Sequence, residues 1–297
     1  MTAVVKELIA FFLRFSGIPW IVRNRISRNK VSIVVFHDPA PQALAGHLAY
    51  LAKYYHVIPL QKLVEAMESG KSHDIAPKSM VITIDDGHAG NYRLLEIFRQ
   101  HRICPTIYLT SHIVDTRRHF WQNKVAGFKN SCNRLSHQQF LSRLKNDFGF
   151  TPDQEFDTRR TLNRREIDEM SPWVDFQSHG QYHFSLPACD ENTMREEIAG
   201  SQKTLEKLLG KQCGHFAYPF GDYSSREAAY LKECGYRSGR TTDPGWNDRD
   251  SDPYRLKVLA MIPDNASKNM LCAQLTGLPN FAAYFIHRVM DRFKLIF

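Results

Sequence analysis

Short, apolar, β-branched runs alternate along this chain with stretches of helical periodicity, and most of these runs stop at a polar cluster. Residues 31–36 end in His37-Asp38-Pro39, residues 80–84 in Asp85-Asp86-Gly87, residues 174–177 in Ser178-His179-Gly180, and 215–218 in Pro219-Phe220-Gly221. Runs of this length, bounded by turn residues, read as buried strands. Further strands are expected at 106–109, 236–239 and 254–259, with helices over 42–54, 61–68, 91–101, 163–170, 191–209 and 226–234. Such alternation is the pattern of parallel β/α units rather than of a meander. Seven or so parallel strands in 297 residues predict an α/β fold, a single distorted (β/α)7 TIM-like barrel, with function on the loops that follow the strands.

Residues 111–152 break the pattern with a polar, basic stretch holding Trp121 and Phe128, read as an insertion carrying helices. The expected organisation is therefore a basic amphipathic segment over 1–30, a barrel over 31–262 containing that insertion, and a basic amphipathic tail over 263–297. At this size the barrel can bury a core without disulfides. The six cysteines, Cys104, Cys132, Cys189, Cys213, Cys234 and Cys272, include no C-x-x-C pair, which argues against a zinc ribbon or a redox motif.

Net charge is +8, so anionic partners are favoured. The basic residues are dispersed and carry no finger or RNP signature, and no nucleic-acid role is expected. The apolar run 8–22 is broken by Arg14, Gly17 and Pro19, too soon for a spanning helix and poorly formed for a signal peptide, which points to a cytoplasmic protein or one peripheral on the inner membrane. Phe11, Phe12, Phe15 and Trp20 interleaved with Arg14, Arg23, Arg25 and Arg28 suit a helix lying on an anionic membrane, or one packed on the body. Phe281, Tyr284, Phe285, Val289, Phe293 and Ile296 with Arg288, Arg292 and Lys294 repeat the theme at the other end.

Three of the polar clusters carry chemistry. In Thr83-Ile84-Asp85-Asp86-Gly87, adjacent carboxylates at a strand end point in different directions, so one can ligate a metal while the other faces a water. In Ser178-His179-Gly180-Gln181-Tyr182-His183, histidines four apart would share one face of a helical turn and converge on one ion, a carboxylate from elsewhere completing a three-ligand site open to water. Phe216-Ala217-Tyr218-Pro219-Phe220-Gly221 is a strand entering a turn that can aim backbone N–H groups at an oxyanion.

In this order the clusters resemble the motifs of the polysaccharide deacetylases, carbohydrate esterase family 4, over roughly 31–259. Ile84 stands for the Phe of T-F-D-D-G, Gly180 for the Ser/Thr of H-[ST]-x-x-H, and 216–221 follows F-A-Y-P-[YF]-G. The resemblance implies a divalent ion, zinc or similar, on Asp86, His179 and His183, with Asp85 as general base and the N–H near Phe220 in an oxyanion hole. It implies hydrolysis of the N-acetyl amide of N-acetylhexosamine units in a glycan. The L-x-H motif that supplies the acid in many members is missing, and His287 lies in the tail. An apolar strand ending in His, as in the poly-N-acetylglucosamine branch, makes His37 the candidate acid. Ala217 occupies the place of the third-motif arginine, so Arg255 is the expected partner of Asp85. His88 follows the Asp-Asp-Gly turn with no assigned role. Tyr218 is expected in the oxyanion-hole region, and Trp121 and Trp246 are candidate sugar platforms. A glycan- or partner-binding relative without turnover is the competing reading.

Overall fold

A computed structural model describes residues 2–70, 75–123 and 137–283. Cys132 and Phe128 of the insertion, and Tyr284, Phe285, His287, Arg288, Val289, Arg292, Phe293, Lys294 and Ile296 of the tail, lie outside the described residues.

Strand β1 (Ser32–Phe36) pairs with β3 (Ser79–Ile84), and the sheet continues through β4 (Thr106–Leu109), β5 (Asp175–Ser178), β6 (His215–Ala217) and β7 (Ser238–Pro244). The last run divides its pairing. Its first part, β8 (Leu256–Val258), lies on β7, and its second, β9 (Ala260–Met261), lies on β1, with Leu259 N–H donating to Ile33 O at 2.9 Å between them. All pairings are parallel, and β8 with β9 acts as one stave, so seven staves close a distorted barrel. A short β2 (His56–Val57), not foreseen, adds to the start of β3.

Side-chain alternation sorts the strands into two layers. Val34, Phe36, Met80, Ile82, Ile84, Ile107, Leu109 and Phe176 face outward into one core with Leu44, Leu48, Leu95, Phe98, Ile167 and Leu271 of the surrounding helices. Ile33, Val35, Val81, Tyr108, Ala217, Leu256 and Val258 share a second cluster with Leu60, Leu63 and Val64 of the helix Leu60–Ser69. That helix also pairs Glu68 with Arg237, just ahead of β7, at 2.6 Å. It therefore floors the barrel at the strands' N-terminal end and leaves the other end as the mouth.

Helix starts follow local chemistry. Asn163 and Glu166 make a reciprocal capping box ahead of the helix Arg164–Met170, and Ser224 with Glu227 does the same ahead of Ser225–Glu233. The expected long helix is present with a π-helical turn, Glu196–Gly200, between Glu191–Arg195 and Ser201–Leu209. In the insertion, His137–Phe148 is helical as expected.

Two buried histidines are expected to weaken the fold in acid. His215 donates or accepts at Ser238 Oγ (2.9 Å), and burial pushes it down to about 4; burial also lowers His47, whose Nε2–H donates to Ala266 O (2.9 Å). Unfolding returns both to the ordinary value, so between that value and the folded one the unfolded chain binds more protons. The His215 contribution is complete above about pH 6.5 and is lost as pH falls toward 4, and His47 acts in the same direction. Urea unfolding at about pH 7 and about pH 5 is expected to show that His215→Asn loses less stability on acidification than wild type, by about 2 kcal/mol. Equal losses would contradict the assignment.

Candidate active site at the barrel mouth

The inward series Val81, Thr83 on β3 continues to Asp85, which is buried, and whose Oδ2 accepts from Arg240 Nη2 at 2.6 Å. Arg240 lies opposite Ala217 in the register of β6 and β7 and is 1% exposed. Simple alternation would send Asp86 outward. Left-handed backbone at Asp86 (φ 72°) and Gly87 (φ 63°) turns it back over the mouth, and a Cβ at Gly87 would come within 2.4 Å of Leu109 Cδ2.

The two histidines do not share a helical turn. Residues 179–183 form an irregular loop in which Gly180 (φ 81°) and His183 (φ 61°) are both left-handed, and this bending brings the rings to 4.6 Å. A Cβ at Gly180 would stand 2.9 Å from Glu197 Oε2, and the left-handed φ of 81° also favours glycine here over the Ser/Thr of the motif. The buried Glu197 carboxyl accepts from Gln181 N–H (3.1 Å) and Tyr182 N–H (2.9 Å) and so holds the loop from beneath. His179 Nδ1 faces the Ala217 carbonyl at 2.8 Å; a carbonyl only accepts, so the proton sits on Nδ1 and Nε2 keeps its lone pair for an ion. His183 is held twice from the insertion: Trp121 Nε1–H donates to its carbonyl (3.2 Å), and the Gln122 amide lies against its Nδ1.

Asp86 Oδ1 is 3.7 Å from His179 Nε2 and 3.5 Å from His183 Nε2, and it has no hydrogen-bond partner. Those gaps are too long for hydrogen bonds, but ligands ~2.1 Å from a tetrahedral ion stand ~3.4 Å apart. Donor types, spacing and the orphaned oxygen therefore fit a divalent ion. Asp86 Oδ2 is taken by His88 Nε2 at 3.2 Å, which gives His88 a place as a positioning partner. Burial alone would raise the Asp86 carboxyl, yet His88, His183 and His179 outweigh it and hold it well below the usual carboxylate range. Burial pushes His183 down to about 3 and lowers His179 as well, so both rings are neutral at physiological pH, as ligands must be.

A family model described as polysaccharide deacetylase matches residues 73–239, more than half of the chain. The chain belongs to the polysaccharide deacetylase family. It is 21% identical over 188 residues to a Bacillus subtilis protein named as the polysaccharide deacetylase YxkH; that match takes in 63% of this chain and about half (52%) of the relative's length. Among solved structures it resembles the Streptococcus pyogenes deacetylase PplD in complex with acetate (TM-score 0.61, 16% identity, 83% of this chain and 98% of that one). It also resembles IcaB from Ammonifex degensii (TM-score 0.57, 16% identity, 83% and 97%). At these identities the structural likeness establishes the fold.

Several residues expected at the site of this deacetylase fold stand elsewhere. Arg255 is half exposed and pairs with Asp252 (3.4 Å), because it precedes β8 on the outer rim; the guanidinium on Asp85 is Arg240. Sequence reading ended that strand at Gly239, whereas β7 continues to Pro244 and carries Arg240 inward. Tyr218 is buried with its hydroxyl donating to Tyr254 O (3.0 Å), so it packs the outer layer rather than lining the mouth. Trp121 is 4% exposed, beneath the His183 loop and against Phe140, and presents no open face to a sugar. Trp246 neighbours Lys30 (5.7 Å) and Phe281 (5.8 Å), beside the Val31–Asn247 bridge at the opposite end of β1 from His37.

His37 directly follows β1, and its carbonyl accepts from Asn91 Nδ2 (2.8 Å). Phe220 sits in left-handed backbone (φ 60°) within the turn Pro219–Gly221, its ring 4.7 Å from that of His183. Arg240 and Asp85 are both buried, so removing one partner strands the other charge. Arg240→Ala is expected to cost about 3–5 kcal/mol in denaturant unfolding, and Arg255→Ala less than about 1 kcal/mol. The reverse ranking would contradict the reassigned pair.

Proposed function

We propose that this protein hydrolyses the N-acetyl amide of N-acetylhexosamine units in a polysaccharide, an exopolysaccharide precursor or a lipid-linked glycan. The observation that carries the reading is the meeting of Asp86 Oδ1 with two imidazole Nε2 atoms beside a second carboxylate, Asp85, whose Oδ1 is buried without a hydrogen bond. Asp86, His179 and His183 would hold the divalent ion, and nitrogen–oxygen donors with an open position suit zinc. When bound, such an ion makes water acidic at neutral pH and polarises an amide carbonyl.

The rest falls to the chain's own groups. Arg240 fixes Asp85 through Oδ2, leaving Oδ1 to take the proton from the attacking water. Phe220 N–H is the proposed donor to the carbonyl oxygen as it gains charge. His37, which follows β1 next to the strand that leads to Asp85, is the proposed acid that protonates the departing amine; the backbone bond from Asp85 N–H to Phe36 O (2.9 Å) ties the two strand ends together. A relative without turnover would be favoured by a base lacking its guanidinium, and Arg240 occupies that place.

Acetate release from N-acetylglucosamine oligomers is expected to require added zinc and to be lost on chelation. Asp85→Asn should lower turnover by about 10³-fold while metal content stays at that of wild type. Retained turnover in that variant would remove Asp85 as base, and release unaffected by chelation would remove the ion.

A further inference from the structure

The helix Ala3–Phe15 is packed inside out. Two of its three charged residues face the barrel: Glu7 accepts from Ser267 Oγ (2.9 Å) and Asn269 Nδ2 (2.8 Å), Arg14 Nη1 donates to Asn269 Oδ1 (2.8 Å), and the small Ala10 between them is buried. Its apolar residues face away, with Val4, Phe12 and Phe15 each about two-thirds exposed and Leu8 and Phe11 about half. A surface helix of a water-soluble domain does the opposite. Among the described residues, ten of the thirteen exposed large hydrophobic side chains lie between Val4 and Ile26, including Trp20 and Ile21, so the apolar surface is concentrated in this one segment.

Charge selects the occupant. Residues 2–30 hold Lys6, Arg14, Arg23, Arg25, Arg28 and Lys30 against the single acid Glu7, which is already engaged. Lys6, Arg25, Arg28 and Lys30 are exposed. A second copy docked by the same face would oppose these cations to their equivalents, whereas anionic lipid headgroups would neutralise them. Thirteen helical residues reach ~20 Å, short of the ~30 Å hydrocarbon core, so the helix lies in the interface. Among the described residues no helix is long and apolar enough to cross a membrane.

The segment is also tied to the mouth. Ser267, which Glu7 holds, follows β9 by a loop whose Asp264 Oδ1 accepts from Asp38 N–H (2.9 Å), the residue after His37. We propose that residues 2–26 form an interfacial anchor that seats the protein on an anionic bilayer. The consequence for substrate, a glycan carried on a lipid at the membrane, rests on the deacetylase reading; the anchoring does not.

The test is co-sedimentation of the full chain with phosphatidylcholine vesicles, with or without about one-third phosphatidylglycerol. Wild type is expected to bind the anionic vesicles, and Phe11→Ser/Phe12→Ser/Phe15→Ser to bind at least about tenfold less. Lys6→Glu/Arg25→Glu/Arg28→Glu should lose the preference for anionic over neutral lipid. All substituted side chains are exposed, so thermal melts and acetate release from a soluble oligosaccharide should match wild type. Equal binding by the Phe variant, or no binding by wild type, would overturn the anchor. So would a wild-type dimer that the Phe variant breaks without any vesicle binding. Loss of the hydrolase reading would appear instead as no acetate release from any of the proteins, leaving the partition result intact.

Discussion

The candidate site exists because the sheet closes on itself. Asp86 follows β3, the two histidines follow β5, Arg240 belongs to β7, and only a barrel brings these ends around one mouth. Closure depends on one short run, 256–261, that hydrogen-bonds β7 with its first half and β1 with its second. The helix Leu60–Ser69 fills the floor beneath, so the opposite end of the barrel is left as the mouth. Buried there, the Asp85–Arg240 pair and the neutral imidazoles sit in a low-dielectric setting where each charge needs its partner.

Backbone strain is concentrated at the same place. Six described non-glycine residues have positive φ, and three of them are Asp86, His183 and Phe220. Left-handed backbone costs an L-residue energy and persists only where surrounding contacts enforce it. Here the enforcing contacts can be named: Glu197 under the histidine loop, Trp121 on the His183 carbonyl, and Leu109 against Gly87. Each turn re-aims a side chain that regular geometry would send elsewhere.

Much of the fold was legible in the chain, because β-branched runs of four to six residues leave little choice but a buried parallel strand. The run 106–109 coincides with β4, and most of the other expected strands lie within two residues of their place. Asp85, Asp86, His179 and His183 were legible because they sit in contiguous motifs at strand ends. Arg240 was not, since the small polar residues Ser238, Thr241 and Thr242 disguise a strand whose inner face is polar. Glu197 and Gln122 were hidden for another reason: they reach the site from a helix and an insertion whose periodicity carries no sign of what they touch. Trp121 and Trp246 misled because aromatic residues serve core packing as often as sugar stacking, and only burial tells the two apart.

The central claim is that Asp86, His179 and His183 share an ion. Calorimetric zinc titration of chelator-treated wild type and His183→Ala tests it most directly. The account predicts about one ion per chain in wild type and binding at least about 100-fold weaker in His183→Ala. Equal affinity in the two proteins, or no binding by wild type, would contradict it.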